Sequence, residues 1–221
     1  MHCRYDSDKP TLHANYFGPY AQFLCPWKAE GKEVSILEFG IGGFDEELKG
    51  GADLFTWSRF FPKAKIIIGV DISKKSFHVA PNVKMFQASQ VDEKAVNEIC
   101  EKYGPFDLIV DDGSHMVDHV IATFKLVWKC LKYDGLYVLE DSQSSYSEAA
   151  EGSKDLDANW TSMNFFKRLI DDQNFAEIAA YGNSYVPSIY AKELAGMHFY
   201  HNMVFIEKGD NKYPSSMVIA S

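Results

Sequence analysis

Short apolar runs alternate with helical patterns along most of this chain. Ile66-Ile67-Ile68 and Leu108-Ile109-Val110 are apolar at every position, as strands buried on both faces are. Between such runs, apolar residues recur at the spacing of a helix that packs on one side. The predicted strands are 34–39, 65–71, 83–87, 106–111, 136–140 and 203–207, and the predicted helices are 16–24, 52–61, 93–103, 117–131 and 160–172. This alternation predicts an α/β fold, a parallel sheet with helices on both faces.

The length of 221 residues predicts a single domain over 1–221. Residues 1–33 precede the first strand and predict an N-terminal helical or lid segment. Residues 142–159 are rich in Ser, Glu, Asp and Gly and follow the carboxyl end of a strand, so they are a candidate substrate loop. A disordered insertion is the alternative for that stretch.

Charge and cysteine content exclude several classes of protein. There are 31 acidic against 22 basic residues, a net charge of −9, so the chain lacks the basic field that attracts nucleic acid or an anionic membrane. No apolar run approaches the about 18–20 residues of a membrane span. Cys3, Cys25, Cys100 and Cys130 are scattered and predict reduced thiols rather than a disulfide framework. We expect a cytoplasmic protein with neither nucleic acid nor membrane as partner.

A glycine-rich turn, Gly40-Ile41-Gly42-Gly43, directly follows the first predicted strand. Glycines let backbone approach a ligand closely, and the first βα turn of such a sheet borders the usual ligand crevice. Acidic residues at 45–47 would repel a pyrophosphate, whereas Asp71, at the end of the next strand, would accept hydrogen bonds from ribose hydroxyls. With Glu38 before the turn, the pattern favours a nucleoside without phosphates, S-adenosylmethionine. The alternative is glycine present only for turn geometry.

Two further predicted strands end in carboxylates, in Asp111-Asp112-Gly113-Ser114-His115 and in Glu140-Asp141. Acidic residues are depleted from strands, and packed like charges need a cation beside them. Oxygen ligands suit Mg²⁺ or another hard divalent cation. His115, with a usual pKa near ~6.5, would then take a proton from a hydroxyl bound there.

Three plainer interpretations stand beside this one. Asp111 could simply cap the following helix. His115 and His119 form an HxxxH pair that could hold zinc, although the glutamate of a metalloprotease is missing. Tyr16 and Tyr20, at helical spacing, are expected to pack rather than to contact substrate.

Together these motifs resemble the metal-dependent sugar O-methyltransferases of the mycinamicin and macrocin O-methyltransferase type. The resemblance covers roughly residues 6–172. It is carried by Leu-Glu-Phe-Gly-Ile-Gly-Gly at 37–43, Tyr-Gly-Pro-Phe-Asp at 103–107, Asp-Asp-Gly-Ser-His at 111–115 and Asp-Gly-Leu-Tyr-Val-Leu-Glu-Asp at 134–141. It implies a Rossmann-like S-adenosylmethionine methyltransferase fold with an antiparallel C-terminal strand. It also implies Mg²⁺-assisted methyl transfer to a hydroxyl of a small molecule, a sugar or glycosylated natural product.

The resemblance also implies roles for individual residues. Asp112, Glu140 and Asp141 would bind the metal, and His115 would be the base. The residues on the cofactor side would be Glu38, Gly40, Gly42, Asp71, Ile72, Gln87, Ser89 and Asp111. Where the family often has Gln-Gly-Asp, this chain has Gln87-Ala88-Ser89, so a serine replaces the adenine-side contact. The family's additional assembly domain does not fit in this length, which leaves a homo-oligomer open.

Two other functions remain open at this stage. A catechol or another small diol could replace the sugar on the same metal. Alternatively, the chain could be a non-catalytic module that only binds S-adenosylmethionine. A hydrolase or oxygenase with Asp112, His115 and Glu140 on iron fits less well, because one imidazole is too few for a two-histidine facial triad.

Overall fold

The computed structural model describes residues 16–216 and contains one seven-stranded sheet. Its strands are β1 (Ser35–Phe39), β2 (Ile66–Asp71), β3 (Val83–Gln87), β4 (Phe106–Asp111), β5 (Leu131–Leu139), β6 (Leu194–Tyr200) and β7 (Met203–Lys208). They lie in the order β3-β2-β1-β4-β5-β7-β6. The first five strands are parallel, and β7 runs antiparallel to both β5 and β6. The predicted α/β architecture with an antiparallel C-terminal strand is confirmed.

Helices cover both faces of the sheet. They are α1 (Phe17–Ala29), α2 (Ala52–Phe60), α3 (Glu93–Tyr103), α4 (Val117–Val127), α5 (Ser162–Gln173) and α6 (Phe175–Ala180). One apolar core lies between the sheet and α3, α4 and α5, where Phe124 and Phe166 are completely buried. The other lies between the sheet and α1 and α2, with Leu24 and Trp57 at its centre. The sheet is therefore the middle layer of three, which explains why its central strands are mostly apolar.

The register of the central strands brings the chemically interesting residues to one edge. Phe39 of β1 lies beside Asp111 of β4, and Asp111 lies beside Leu139 of β5. The next residues continue this pattern, since Asp112 N–H donates to the Phe39 carbonyl and Glu140 N–H to the Asp111 carbonyl, both at 3.0 Å. The carboxyl ends of β1, β4 and β5 are thus level with one another.

The stretch after β5 is organised by its own hydrogen bonds. It forms two short 3₁₀ turns, Ser142–Tyr146 and Glu148–Ala150. The Ser145 hydroxyl, completely buried, accepts from Met163 N–H, and the Ser145 carbonyl accepts from Ser153 N–H. This stretch therefore packs against the start of α5. Of the predicted N-terminal helical or lid segment, α1 is described, and residues 1–15 lie outside the described residues.

The expectation of reduced thiols is wrong for the described cysteines. Cys100 of α3 and Cys130, just before β5, form a disulfide with their Cα atoms 5.6 Å apart. Cys25 is disulfide-bonded as well. Scattered spacing concealed this pairing, because the end of α3 and the turn after α4 meet on one face of the sheet. Cys3 lies outside the described residues. Among residues 16–216, no helix is both long and apolar enough to cross a bilayer.

Candidate functional site

A cavity of about 200 Å³ opens at the carboxyl ends of β1, β2 and β4, and we call it the strand-end cavity. Four of the predicted cofactor residues line it, namely Gly40, Asp71, Ile72 and Ser89. The remaining lining residues are Phe39, Val70, Ala88, Gln90, Gly113, Ser114 and His119. The cavity is therefore where an open α/β sheet ordinarily binds its ligand.

Gly40 is required by the close approach of two chain segments. Its φ is +87°, and a Cβ built on it would lie 1.9 Å from the carbonyl oxygen of Asp112. Only glycine combines that backbone conformation with that contact. The first turn can therefore bend across the end of β4 and leave its backbone exposed to the cavity.

Asp71 holds the same turn from the second strand. Its Oδ2 accepts the Ile41 N–H and its Oδ1 accepts the Ser73 N–H, both at 2.8 Å. Each carboxylate oxygen has a further lone pair, so Asp71 can accept ribose hydroxyls while it retains these bonds. Its position at the cavity wall suits the predicted role.

The other four predicted cofactor residues are not on the cavity wall. Glu38, within β1, is buried and accepts Trp57 Nε1–H at 2.8 Å. Gly42 shapes the turn with a φ of +72°, and the exposed Gln87 donates to the Ile72 carbonyl at 3.3 Å. Asp111 is completely buried, and burial raises its pKa to about 7 although several hydrogen bonds oppose the shift. These residues support the site from outside it.

Gln90 is a site residue that sequence reasoning missed. Its Nε2 donates to Asp111 Oδ1 at 3.0 Å and to Thr123 Oγ1 at 2.8 Å, and its Oε1 accepts the Ser114 N–H at 2.6 Å. This amide therefore fixes the loop that carries Ser114 against the buried end of β4. A glutamine in a loop carries no sequence signal for such a role.

Three side chains meet at the edge of the sheet beside the strand-end cavity. Asp112, His115 and Asp141, which we call the rim triad, offer ligand atoms that all lie within 4.8 Å of one another. His115 Nε2 is 3.8 Å from Asp112 Oδ1 and 3.7 Å from Asp141 Oδ2. His115 and Asp141 both have positive φ, +58° and +50°, a conformation that few non-glycine residues adopt, although Asp and His adopt it more readily than most.

A second group of carboxylates shares Asp112 with the rim triad. Glu38, Asp53 and Asp112 also offer ligand atoms within 4.8 Å of one another. Asp53 comes from the first turn of α2, and sequence reasoning did not identify it. His119 belongs to neither group; its Nδ1 is 2.8 Å from Ser114 Oγ instead. Of the predicted metal ligands, Asp112 and Asp141 thus meet in the rim triad, whereas Glu140 belongs to neither group, and the HxxxH pair does not form a metal site among the described residues.

Glu140 is buried and faces α1. Its Oε1 accepts the Tyr20 hydroxyl at 2.6 Å, and Asp141 Oδ1 accepts the Tyr16 hydroxyl at 2.5 Å. Burial, reinforced by the neighbouring carboxylates, raises the pKa of both tyrosines well above the usual value. Both hydroxyls therefore stay protonated and act as donors. The tyrosines pack as expected, but they also make hydrogen bonds that the sequence did not reveal.

The chain is similar over most of its length to curated sugar O-methyltransferases. It is 36% identical over 209 residues, 94% of this chain, to 8-demethyl-8-alpha-L-rhamnosyl tetracenomycin-C 2'-O-methyltransferase of Streptomyces olivaceus. It is 34% identical over 214 residues, 92% of this chain, to mycinamicin VI 2''-O-methyltransferase of Micromonospora griseorubida. Each match covers 53% of the relative, so the chain spans about half the length of these curated relatives. No known family model matches the chain.

The structure is similar to that of a methyltransferase solved with its ligands. MycE methyltransferase from the mycinamycin biosynthetic pathway, in complex with Mg, SAH and mycinamycin VI, superposes with a TM-score of 0.85 at 32% identity. The superposition covers 94% of this chain and 52% of that chain. The seven-stranded sheet and its helices therefore have the fold of an S-adenosylmethionine-dependent methyltransferase.

Proposed function

We propose that this chain, a homologue of the sugar O-methyltransferases of natural-product pathways, transfers a methyl group from S-adenosylmethionine to a sugar hydroxyl. The observation that carries the proposal is the rim triad beside the strand-end cavity. A cavity with a glycine turn suits the nucleoside, and the adjoining carboxylates and imidazole suit a hydroxyl acceptor. The methyl donor and the hydroxyl acceptor would thus lie next to each other at one edge of the sheet.

On the cofactor side, the chain contributes backbone and one carboxylate. Gly40 leaves room for the ligand to touch the main chain, and Asp71 would accept the two ribose hydroxyls. Ser89 also lines the cavity and would contact the adenine. When bound, S-adenosylmethionine supplies a methyl group on a positively charged sulfur, which nearby carboxylates favour.

The residues at the ends of β4 and β5 fit a hard divalent cation such as Mg²⁺. Asp112, Glu140 and Asp141 offer only oxygen donors, and the sheet register places them on neighbouring strand ends. We propose these three as the metal-holding residues. When bound, the cation would lower the pKa of the acceptor hydroxyl and orient its oxygen.

His115 is proposed as the base that takes the hydroxyl proton, on Nε2. This nitrogen points between Asp112 and Asp141, less than 4 Å from a carboxylate oxygen of each. A neutral imidazole is a suitable proton acceptor near neutral pH, and the adjacent carboxylates stabilise the imidazolium that forms. The bent backbone at His115 directs the ring toward this position.

The acceptor is proposed to be the sugar of a glycosylated small molecule. Support comes from the relatives, whose names specify a rhamnosyl tetracenomycin and mycinamicin VI as substrates. The loop at 142–159 begins directly after Asp141, so we propose it as the part of the chain that contacts the acceptor.

The proposal is tested with purified protein, S-adenosylmethionine and a panel of rhamnosides, macrolide glycosides and catechols. We expect methylation of glycosides but not of catechols, and loss of turnover when EDTA removes divalent cations. Methylation of catechols alone would overturn the sugar as acceptor. Binding of S-adenosylhomocysteine without turnover on any acceptor would favour the non-catalytic module.

The role of His115 is tested by His115→Ala, with His78→Ala as the control because His78 is exposed and lies in the loop between β2 and β3. We expect kcat to fall by about 10²–10⁴-fold in His115→Ala, with binding of S-adenosylhomocysteine retained. An unchanged kcat would remove His115 as the base.

A further inference from the structure

Helix α1 brings two hydroxyl groups to the two carboxylates that end β5. Tyr16 and Tyr20 are one helical turn apart, so their side chains leave the same face of the chain. Glu140 and Asp141 are consecutive residues, and each accepts from one tyrosine. A matched pair of donors on one element therefore meets a matched pair of acceptors on another.

Each tyrosine uses a single carboxylate oxygen. Tyr16 donates to Oδ1 of Asp141, while Oδ2 of the same group faces His115 at 3.7 Å. Tyr20 donates to Oε1 of Glu140. The hydrogen bond from Tyr16 thus fixes the rotation of the Asp141 carboxylate with Oδ2 on the side of His115, and the hydrogen bond from Tyr20 fixes that of Glu140.

The donors are held rigidly, above all Tyr20. Its ring is only 3% exposed and packs edge-on against Trp57 at 5.3 Å and Phe205 at 5.2 Å between ring centroids. Trp57 itself donates to Glu38 of β1. The packed pair of Tyr20 and Trp57 therefore holds two carboxylates, Glu38 in β1 and Glu140 at the end of β5. A buried phenol is a neutral donor, so the carboxylate that accepts its hydrogen bond keeps its negative charge. An ammonium or guanidinium group in the same place would neutralise that charge.

Packing alone does not explain these hydroxyls. A phenylalanine would fill the same space, and it would avoid the cost of burying a polar group. We propose that Tyr16 and Tyr20 are positioning residues for the metal site, whose hydroxyls aim the carboxylates of Asp141 and Glu140 before a cation binds. The inference rests on the proposed function, because it takes these carboxylates to be metal-holding residues.

The test is the affinity for Mn²⁺, followed from the electron paramagnetic resonance signal of the free ion, without acceptor or turnover. Tyr20→Phe and Tyr16→Phe remove one oxygen each. Tyr200→Phe is the matched control, because the Tyr200 hydroxyl donates to Gln22 of the same helix and not to a carboxylate. We expect Mn²⁺ binding at least about 10-fold weaker in the first two variants and unchanged in the control.

Thermal unfolding of the metal-free proteins identifies variants that do not fold, and if Tyr20→Phe fails, Tyr16→Phe carries the test. Equal affinity of wild type and the folded variants would overturn the inference while leaving the metal site intact. An equal loss in Tyr200→Phe would also overturn it, because the effect would then be general loosening of α1. A wild-type protein that binds no Mn²⁺ would refute the metal site itself.

Discussion

At the scale of single residues, the site depends on backbone conformations as much as on chemical groups. The carbonyl oxygen of Asp112 occupies the space that a side chain at position 40 would need. Positive φ at His115 and Asp141 then turns both side chains toward Asp112. The position of each side chain in the rim triad thus depends on the turn that carries it.

Gly40→Ala should separate crowding from backbone strain when it is compared with Gly182→Ala. Both glycines have positive φ, but a Cβ at Gly182 would meet no atom within 4 Å. We expect Gly182→Ala to lower the free energy of unfolding by about 1–2 kcal/mol, and Gly40→Ala by about 1–3 kcal/mol more. Urea denaturation measures both, and S-adenosylhomocysteine binding should weaken only in Gly40→Ala. Equal losses of stability would contradict the proposed crowding.

Sequence alone predicted the residues of the rim triad but not the groups that support them. Asp112, His115 and Asp141 could be placed together because carboxyl ends of adjacent parallel strands lie at one edge of a sheet. Tyr20 and Gln90 could not, because their partners lie 120 and 21–33 residues away and depend on how helices dock. The local sequence pattern around a residue does not predict hydrogen bonds to partners that helix docking brings close.

At the scale of elements, the opposite end of the sheet is held by ionic contacts. Asp107 of β4 accepts from the Ser35 N–H of β1 at 2.8 Å and from Lys132 of β5 at 2.7 Å, and Lys32 lies 3.1 Å away. Burial alone would raise the pKa of Asp107, but these donors and positive charges outweigh it and lower the pKa. One carboxylate therefore joins the three central strands at their amino ends.

Asp107→Asn should make the free energy of unfolding less sensitive to a fall in pH. The pKa of Asp107 is lower in the folded state than the about 3.9 of an unfolded chain, so its contribution is complete above that value and lost as pH falls through the folded-state pKa. At neutral pH we expect the variant to unfold about 1–3 kcal/mol more easily, with the gap closing below about pH 4. Urea midpoints across pH measure this, with exposed Asp171→Asn as control. A gap that persists in acid would exclude the ionic origin.

Predictions of whole elements succeeded for most of the strands and failed for β6, the strand at one edge of the sheet. β3 and β4 match their predicted bounds, whereas β6 was missed and β5 begins five residues earlier than predicted. β6 is an edge strand with mostly half-exposed side chains and a glycine at 196, so it lacks a continuous apolar run.

At the scale of the whole molecule, the Cys100–Cys130 disulfide closes a loop of 30 residues that contains β4 and α4. Constraining that loop in the unfolded chain should add about 3–4 kcal/mol to the free energy of unfolding. We expect dithiothreitol to destabilise wild type by that much more than it destabilises the Cys100→Ala/Cys130→Ala variant. Both proteins contain the Cys25 disulfide, so the effect of reducing it cancels when the two are compared. Equal destabilisation of the two proteins would show that this bond adds nothing.

The pairing of α1 with the end of β5 has a consequence for how the protein is made. Tyr16 and Tyr20 leave the ribosome 125 and 120 residues ahead of the carboxylates they hold. At about 5–20 residues per second, roughly 6–24 s pass before those partners are synthesised. During that interval the apolar face of α1 has no β5 or β7 to cover it in the nascent chain. The edge that carries the rim triad is therefore assembled late, and a chain released before residue 140 would leave the apolar face of α1 exposed.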